Sequence, residues 1–255
     1  MAHRRRSGPR LACVAALLAS VVGAAACGGV LKKEYEYEEE LYLDLDGSAT
    51  LYVNASVPAL VALRGVDLDV DPRARFRRER VRAIFEGPNV EVRTPTTSRR
   101  NGRRFVHVRV DAERLEDLPR LAPFAWSTYS MTRRGDVIAF RQVVGPAAAK
   151  PVGDVGWTGE ELVAFRMHLP SRIPYHNAPS RTIQRGNILE WEQPLRERLA
   201  GRPVEIQADL ETESILRSTL LLFASTIAAA AAAFGIVVWW LMRRREGTEV
   251  SEARR

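Results

Sequence analysis

Ser218 to Met242 is a run of 25 residues without a charge, and it constrains every other reading of the chain. As a helix it spans about 37 Å, enough to cross a hydrocarbon core of roughly 30 Å with some tilt. Leu220-Leu221-Leu222-Phe223 and the alanines from Ala228 to Ala233 fill it. Trp239-Trp240 stand near its end, where indoles settle at a membrane interface, and Arg243-Arg244-Arg245 follow at once. No partner segment is apolar enough to bury such a helix in a soluble core. The expectation is a transmembrane helix over 216–242. The positive-inside tendency keeps 243–255 as a short cytoplasmic tail and places 28–215 outside the cytoplasm.

Residues 1–27 read as a signal peptide. They begin with a basic stretch (Arg4-Arg5-Arg6, then Arg10) and continue with an apolar run from Leu11 to Ala26. That run is too short to span a bilayer comfortably, which favours cleavage over a permanent anchor. Two endings stay open. Val22-Gly23-Ala24-Ala25-Ala26-Cys27 is like a lipobox, with Ala24 where Leu is usual, and would leave an acylated Cys27. Ala24 and Ala26 also form an A-x-A site for ordinary cleavage. Acylation is preferred, because Gly28-Gly29 makes a flexible tether and the other cysteine, Cys13, lies inside the apolar run.

The net charge of +7 invites a nucleic-acid reading, but its distribution excludes one. Residues 1–27 carry +4 and residues 216–255 carry +3, so the 28 basic and 28 acidic residues of 28–215 cancel. The segment 28–215 has no cysteine, so neither an internal disulfide nor a Cys-based zinc site can hold it together. A packed core must.

Within 28–215 the hydrophobic period is mostly two. Tyr35, Tyr37, Glu39, Leu41, Leu43 and Leu45 share one face of a strand, and Glu36, Glu38, Glu40, Tyr42 and Asp44 share the other. The turn Asp46-Gly47-Ser48 returns the chain through Leu51, Val53, Ala55 and Val57 as a hairpin. Pro58 to Leu63 reads as a short helix. Asp71 as cap and Pro72 at the first helical position predict a second helix from Arg73 to Phe85, amphipathic and strongly basic. Val90–Thr94 and Phe105–Val110 are strands, and Asp111 caps a short helix through Leu118. Ser127–Thr132 and Val137–Val144 form another hairpin. Residues 145–159, rich in Gly, Pro and Ala, read as an internal loop or linker. Leu162–Leu169, Asn187–Glu192 and Val204–Leu210 are three further strands, the last running almost straight into the membrane segment. The fold class is α+β: an antiparallel sheet of several hairpins with two or three short helices, plus the C-terminal transmembrane helix.

Leu43-Asp44-Leu45-Asp46-Gly47-Ser48-Ala49 in the first hairpin, Phe165 to Ser171, and Arg185-Gly186-Asn187-Ile188-Leu189-Glu190-Trp191 carry a resemblance. Together with the lipobox-like Cys27 and the C-terminal helix, they make the chain similar to the LppM-type bacterial lipoproteins. The departures are Ala24 and an unusually Arg-rich middle. That resemblance implies an envelope-associated lipoprotein with no assigned catalysis.

Chemistry-bearing motifs are scarce. His107, His168 and His176 show no metal-ligand spacing, and His107 and His168 fall on strands, where a hydrogen-bonded structural role is commonest. His176, in the loop Pro174-Tyr175-His176-Asn177, is the one histidine a hydrolase reading would need, converging with a carboxylate. No nucleophile elbow, phosphate loop or dinucleotide fingerprint occurs. The expectation is no enzyme, no catalytic residue, no metal and no cofactor.

The informative feature is charge placement. Arg64 to Arg109 holds 13 arginines against six acids, whereas 34–46 holds seven acids and no base. Arg75, Arg77, Arg78 and Arg82 are the candidates for contact with an anionic lipid headgroup or an acidic envelope protein. A solvated helix face, common in Arg-rich compositions, is the more ordinary explanation of them. The reading is thus a cell-envelope lipid- or protein-binding module held at the membrane. The runner-up is an assembly factor that recruits a membrane partner through Ser218–Met242, ahead of a hydrolase.

Overall fold

The computed structural model describes residues 33–252. The signal-peptide reading of 1–27, Cys27 included, lies outside the described residues. The folded part is α+β, with eleven described strands, four helices and two short 3-10 turns.

The first hairpin joins β1 (Tyr35–Leu43) to β2 (Ala49–Ser56). Asp46 closes its turn by accepting the Ser48 N–H at 2.9 Å, and Gly47 supplies the left-handed residue (φ 90°). Helix α1 (Val57–Arg64) follows directly. The Ser56 hydroxyl accepts the Ala59 N–H at 3.1 Å, Pro58 sits in the first turn, and Gly65 ends the helix with φ 70°. All eight residues of α1 are buried, so it is a core element with no solvent face.

Helix α2 covers only Arg78–Phe85, five residues short of the expected start. Asp71 instead makes a local turn, its carboxylate accepting the Arg73 N–H at 2.8 Å. The physical reason lies thirty residues downstream. Arg104 donates to the carbonyl oxygens of Pro72 and Ala74, and Arg99 also donates to Pro72. Those are acceptors that a helix from Arg73 would have used.

Strands β3 (Val90–Val92) and β4 (Thr96–Arg100) share one edge of β5 (Arg103–Ala112), and β2 takes the other edge. Asp111 is still in β5 and caps no helix; the helical turn after it is a 3-10 turn at Leu115–Arg120. The hairpin β6 (Ser127–Arg134) and β7 (Val137–Val144) forms as expected. Then come β8 (Leu162–His168), β9 (Tyr175–His176), β10 (Ile188–Pro194), helix α3 (Leu195–Leu199) and β11 (Val204–Glu211).

The strands form two sheets. One runs β10-β8-β1-β2-β5 with β3 and β4 beyond, and the other runs β6-β7-β11-β9. Every pair is antiparallel except β1 with β8. A crossover of more than a hundred residues lies between those two, so no local signal announces the pairing. The inner faces meet in one apolar cluster that includes Leu51, Leu60, Phe85, Phe140, Met167 and Leu210.

Residues 145–160 have no helix or strand, yet they are not a free linker. Ala148 N–H donates to Leu63 O, Arg103 holds the carbonyls of Val155 and Gly156, and Trp157 donates to buried Glu36 at 3.0 Å. The segment is a strap across the large sheet.

Helix α4 covers Ile215–Glu252, so the helix continues into the expected tail as far as the described residues reach. Its stretch Thr219–Trp240 has mean hydropathy 2.3 and none of it is buried against the domain. It is long and apolar enough to cross a membrane. The junction is bonded at each step: Glu211 N–H to Arg172 O, Thr212 N–H to Asp136 O and Ile215 N–H to Pro170 O, at 2.9–3.1 Å.

Candidate functional site

Because the chain from Asp71 to Arg77 is pulled out of helical form, its side chains splay around Phe76. They create a groove of about 340 Å³ whose apolar lining is Val57, Leu68, Phe76 and Val81, whose basic lining is Arg75, Arg77, Arg80 and Arg104, and whose one carboxylate is Asp69. A second recess of about 500 Å³ shares Ala74, Phe76 and Arg104 with it and adds Arg73 and Arg99. Four guanidiniums and one carboxylate surround a small apolar floor, so the lining is net positive.

The arginines divide by whether they already have a partner. Arg80 is bonded to Asp67 at 2.6 Å, and Arg104 is nine-tenths buried with its guanidinium committed to backbone carbonyls. Arg75 and Arg77 are exposed and make no ion pair among the described residues. They are the groove's exposed guanidiniums without a carboxylate partner among the described residues. Of the other two arginines expected to join them, Arg78 is exposed in the first turn of α2 and does not line the groove. Arg82 pairs with Glu86 at 2.7 Å and lines a separate, acid-rich recess beside Asp111 and Glu113. The structure therefore keeps Arg75 and Arg77 together and parts them from Arg78 and Arg82. Sequence pattern alone misses Arg104, Val57 and Leu68, because they come from other elements.

The groove lies at a defined end of the strands. Arg104 is at the start of β5, whereas α4 leaves the domain beside Pro170, just past the end of β8. Register connects the two: the end of β8 is level with Tyr42, Thr50 and Asp111. Groove and helix junction are thus separated by most of the strand length, about 25 Å.

The histidines take structural partners. His107 bonds to Asn54 at 2.9 Å and to Ser98 at 2.8 Å, and burial together with nearby Arg100 lowers its pKa despite Glu38. His168 bonds to Glu40 at 2.5 Å and stacks on Tyr42 at 3.9 Å between centroids. His176 Nδ1 accepts the Ala178 N–H at 3.3 Å, so it fills its own turn.

A second polar group sits between the sheets. Glu39 of β1 is 2% exposed and accepts from Tyr37 at 2.9 Å, Tyr129 at 3.2 Å, Gln142 at 3.0 Å and Arg64 at 3.4 Å. Burial raises the Tyr37 and Tyr129 hydroxyls well above the usual phenol range, and the Glu39 charge adds to it, so both stay protonated donors. The alternation of β1 carried the signal: Glu39 shares a face with Tyr37, Leu41 and Leu43.

No protein-family model and no curated protein matches this chain. Among solved structures the chain is similar to the NMR structure of the folded domain of LppM from Mycobacterium tuberculosis. The identity is 13%, the alignment covers 72% of this chain and 94% of that one, and the TM-score is 0.41.

Proposed function

We propose that this chain is a membrane-tethered module of the cell envelope whose extracytoplasmic domain binds an anionic amphiphile in the Phe76 groove. Unpaired Arg75 and Arg77 would take the headgroup, and Phe76, Leu68 and Val57 would take the first part of the acyl chain. The observation that carries this reading is the pairing of two uncommitted guanidiniums with an apolar lining in one groove, where the one carboxylate, Asp69, accepts the Asp71 N–H and leaves the lining net positive. The apolar stretch of α4 supports the tether. The groove's distance from that helix favours a ligand accepted from elsewhere over the headgroups of the anchoring bilayer.

The test uses the full-length chain held in zwitterionic nanodiscs. Donor vesicles carry phosphatidylglycerol with a diazirine in its acyl chain, or the matching phosphatidylcholine. Photolysis should label peptides spanning 68–81 with the anionic probe in preference to the neutral one. Each arginine near an anionic group is worth about 1 kcal/mol, so Arg75→Glu with Arg77→Glu should cut that labelling by at least about 30-fold. Equal labelling by the two lipids, or labelling unchanged in the double variant, refutes the reading.

A further inference from the structure

The base of α4 is seated in the domain, and its distance from the apolar stretch decides what the near end of the domain meets. The stretch able to cross a membrane begins at Thr219, four residues after Ile215, whose N–H donates to Pro170 O at 3.1 Å. Four residues of helix rise about 6 Å. The headgroup layer on each side of the hydrocarbon core is about 5–7 Å deep. With Thr219 at the hydrocarbon boundary, Pro170 therefore lies at the outer limit of the headgroups, with no spacer between domain and bilayer.

Two chain segments share that level. The β6–β7 turn is held there by the bond from Thr212 N–H to Asp136 O at 3.1 Å, and it carries Arg133 and Arg134. The segment between β8 and β10 is held by the Ser171–Ser214 bridge and by Glu211 N–H donating to Arg172 O at 2.9 Å. Its last turn, Arg185-Gly186-Asn187, is tied to the same place by the Asn187 side chain, which donates to Ser171 O at 2.8 Å. Arg133, Arg134 and Arg185 are exposed and make no ion pair among the described residues; Arg133 donates to Gly135 O within its own turn. Arg172 stands 3.5 Å from Glu211 and is 79% exposed. Residues 170–187 contain no acid, and 133–136, 170–187 and 211–217 together carry six arginines against three acids. The acids of the β1–β2 turn, Asp44 and Asp46, are set back. Gly47 of that turn faces the Met131 thioether, two residues and about 7 Å short of Arg133 on β6.

We propose that this end of the domain is a headgroup-binding face. Arg133, Arg134, Arg172 and Arg185 hold anionic phospholipid headgroups of the leaflet that α4 crosses, and they fix the domain on that leaflet. At this height the leaflet's charge lies within one Debye length, about 8 Å at physiological salt, so screening leaves the attraction in place. The proposal rests on α4 crossing a bilayer and is independent of what the Phe76 groove binds.

The experiment holds the full-length chain in nanodiscs and asks which peptides the surrounding lipid labels. One probe is phosphatidylglycerol with a diazirine on its headgroup, and the other is phosphatidylcholine carrying the same group. Photolysis should label peptides covering 133–136 and 170–187 at least about 5-fold more with the anionic probe, the worth of a single arginine. Arg133→Gln with Arg134→Gln and Arg185→Gln, all at exposed positions, should remove that preference. A third lipid, with its diazirine in mid-chain, should label 219–240 in wild type and variant alike. Mid-chain labelling of 219–240 without an anionic preference at the two turns overturns the proposal and leaves the tether standing. A preference that survives the triple variant also overturns it. Absence of mid-chain labelling removes the tether and this proposal together.

Discussion

Replacing Glu39 by leucine tests whether the polar group between the sheets is a structural joint. The substitution deletes the acceptor of four donors at once: Tyr37, Tyr129, Gln142 and Arg64. Removing one partner of a buried ion pair costs about 3–5 kcal/mol, because the other charge stays buried without compensation. The three neutral donors add to this, though not additively, and 4–6 kcal/mol is a fair total. That is a large share of the roughly 5–15 kcal/mol that holds a domain folded. At 2–4 °C per kcal/mol the midpoint should fall by about 8–24 °C. Urea unfolding of the full-length chain in neutral detergent, followed by near-UV circular dichroism, reads the change in the domain. The decisive variant is the double, Glu39→Leu with Arg64→Leu, which removes both charges. It should be more stable than Glu39→Leu alone by about 2 kcal/mol or more, since an apolar pair can replace a buried ion pair at little cost. A single variant within about 1 kcal/mol of wild type, or a double variant with strictly additive losses, would refute the reasoning.

Two further outcomes follow from other parts of the fold. At Asp111 burial raises the pKa, but Thr50, Arg109 and Arg93 outweigh it; at Glu161 burial is outweighed by the N–H groups of Thr158 and Gly159 and by Arg103, so both carboxyls sit below their ordinary range. Groups depressed in the folded state stabilise it above their unfolded pKa and lose that contribution as pH falls through the folded value. Stability should therefore decline below about pH 4, and Asp111→Asn with Glu161→Gln should flatten that limb in urea midpoints taken down to about pH 3. Trp157→Phe deletes the indole donor to buried Glu36, so elastase, which cuts after small residues such as Ala147 to Ala149, should cut within residues 145–160 several-fold faster while β8 stays protected; an unchanged rate would show that the bonds from Arg103 and Ala148 hold the strap without the indole.

What could be read without coordinates was whatever is encoded within about twenty residues. The hairpins β1–β2 and β6–β7 announce themselves by alternation and by Asp46-Gly47 and Gly135-Asp136, and α1 by Pro58, although its caps Ser56 and Gly65 went unread. Position 39 was already on the apolar face of β1, although its partners Arg64, Tyr129 and Gln142 are 25, 90 and 103 residues away. Distance defeated the rest. The stretch Arg73–Arg77 has helical propensity and a fitting Asp71-Pro72 start, but the guanidinium of Arg104 outbids the helix for its carbonyls. Glu36 alternates with the outward set of β1, yet it is fully buried because Arg103 and Trp157 close over it. The basic groove was half visible: Arg75 and Arg77 stood out by charge density, while nothing local told them apart from Arg82, whose partner Glu86 takes it out of play.

The arrangement of groove and helix narrows what Arg75 and Arg77 can meet. Between the last bond of β11 and the first turn of α4 lie Thr212, Glu213 and Ser214, and the segment is fastened on both sides, to Asp136 and to Pro170. Such a junction transmits the direction of α4 to the sheets instead of letting the domain swivel. If Thr219–Trp240 crosses a bilayer, the end of the strands nearest Pro170 is the end nearest the headgroups, and the Arg104 end stands about 25 Å further along. That distance exceeds two Debye lengths at physiological salt, so the anchoring leaflet's charge is largely screened at the groove. Under the proposed function the two uncommitted arginines would therefore do little for membrane attachment. On that same proposal, their placement would suit capture of an amphiphile that has left its own bilayer or is presented by another surface.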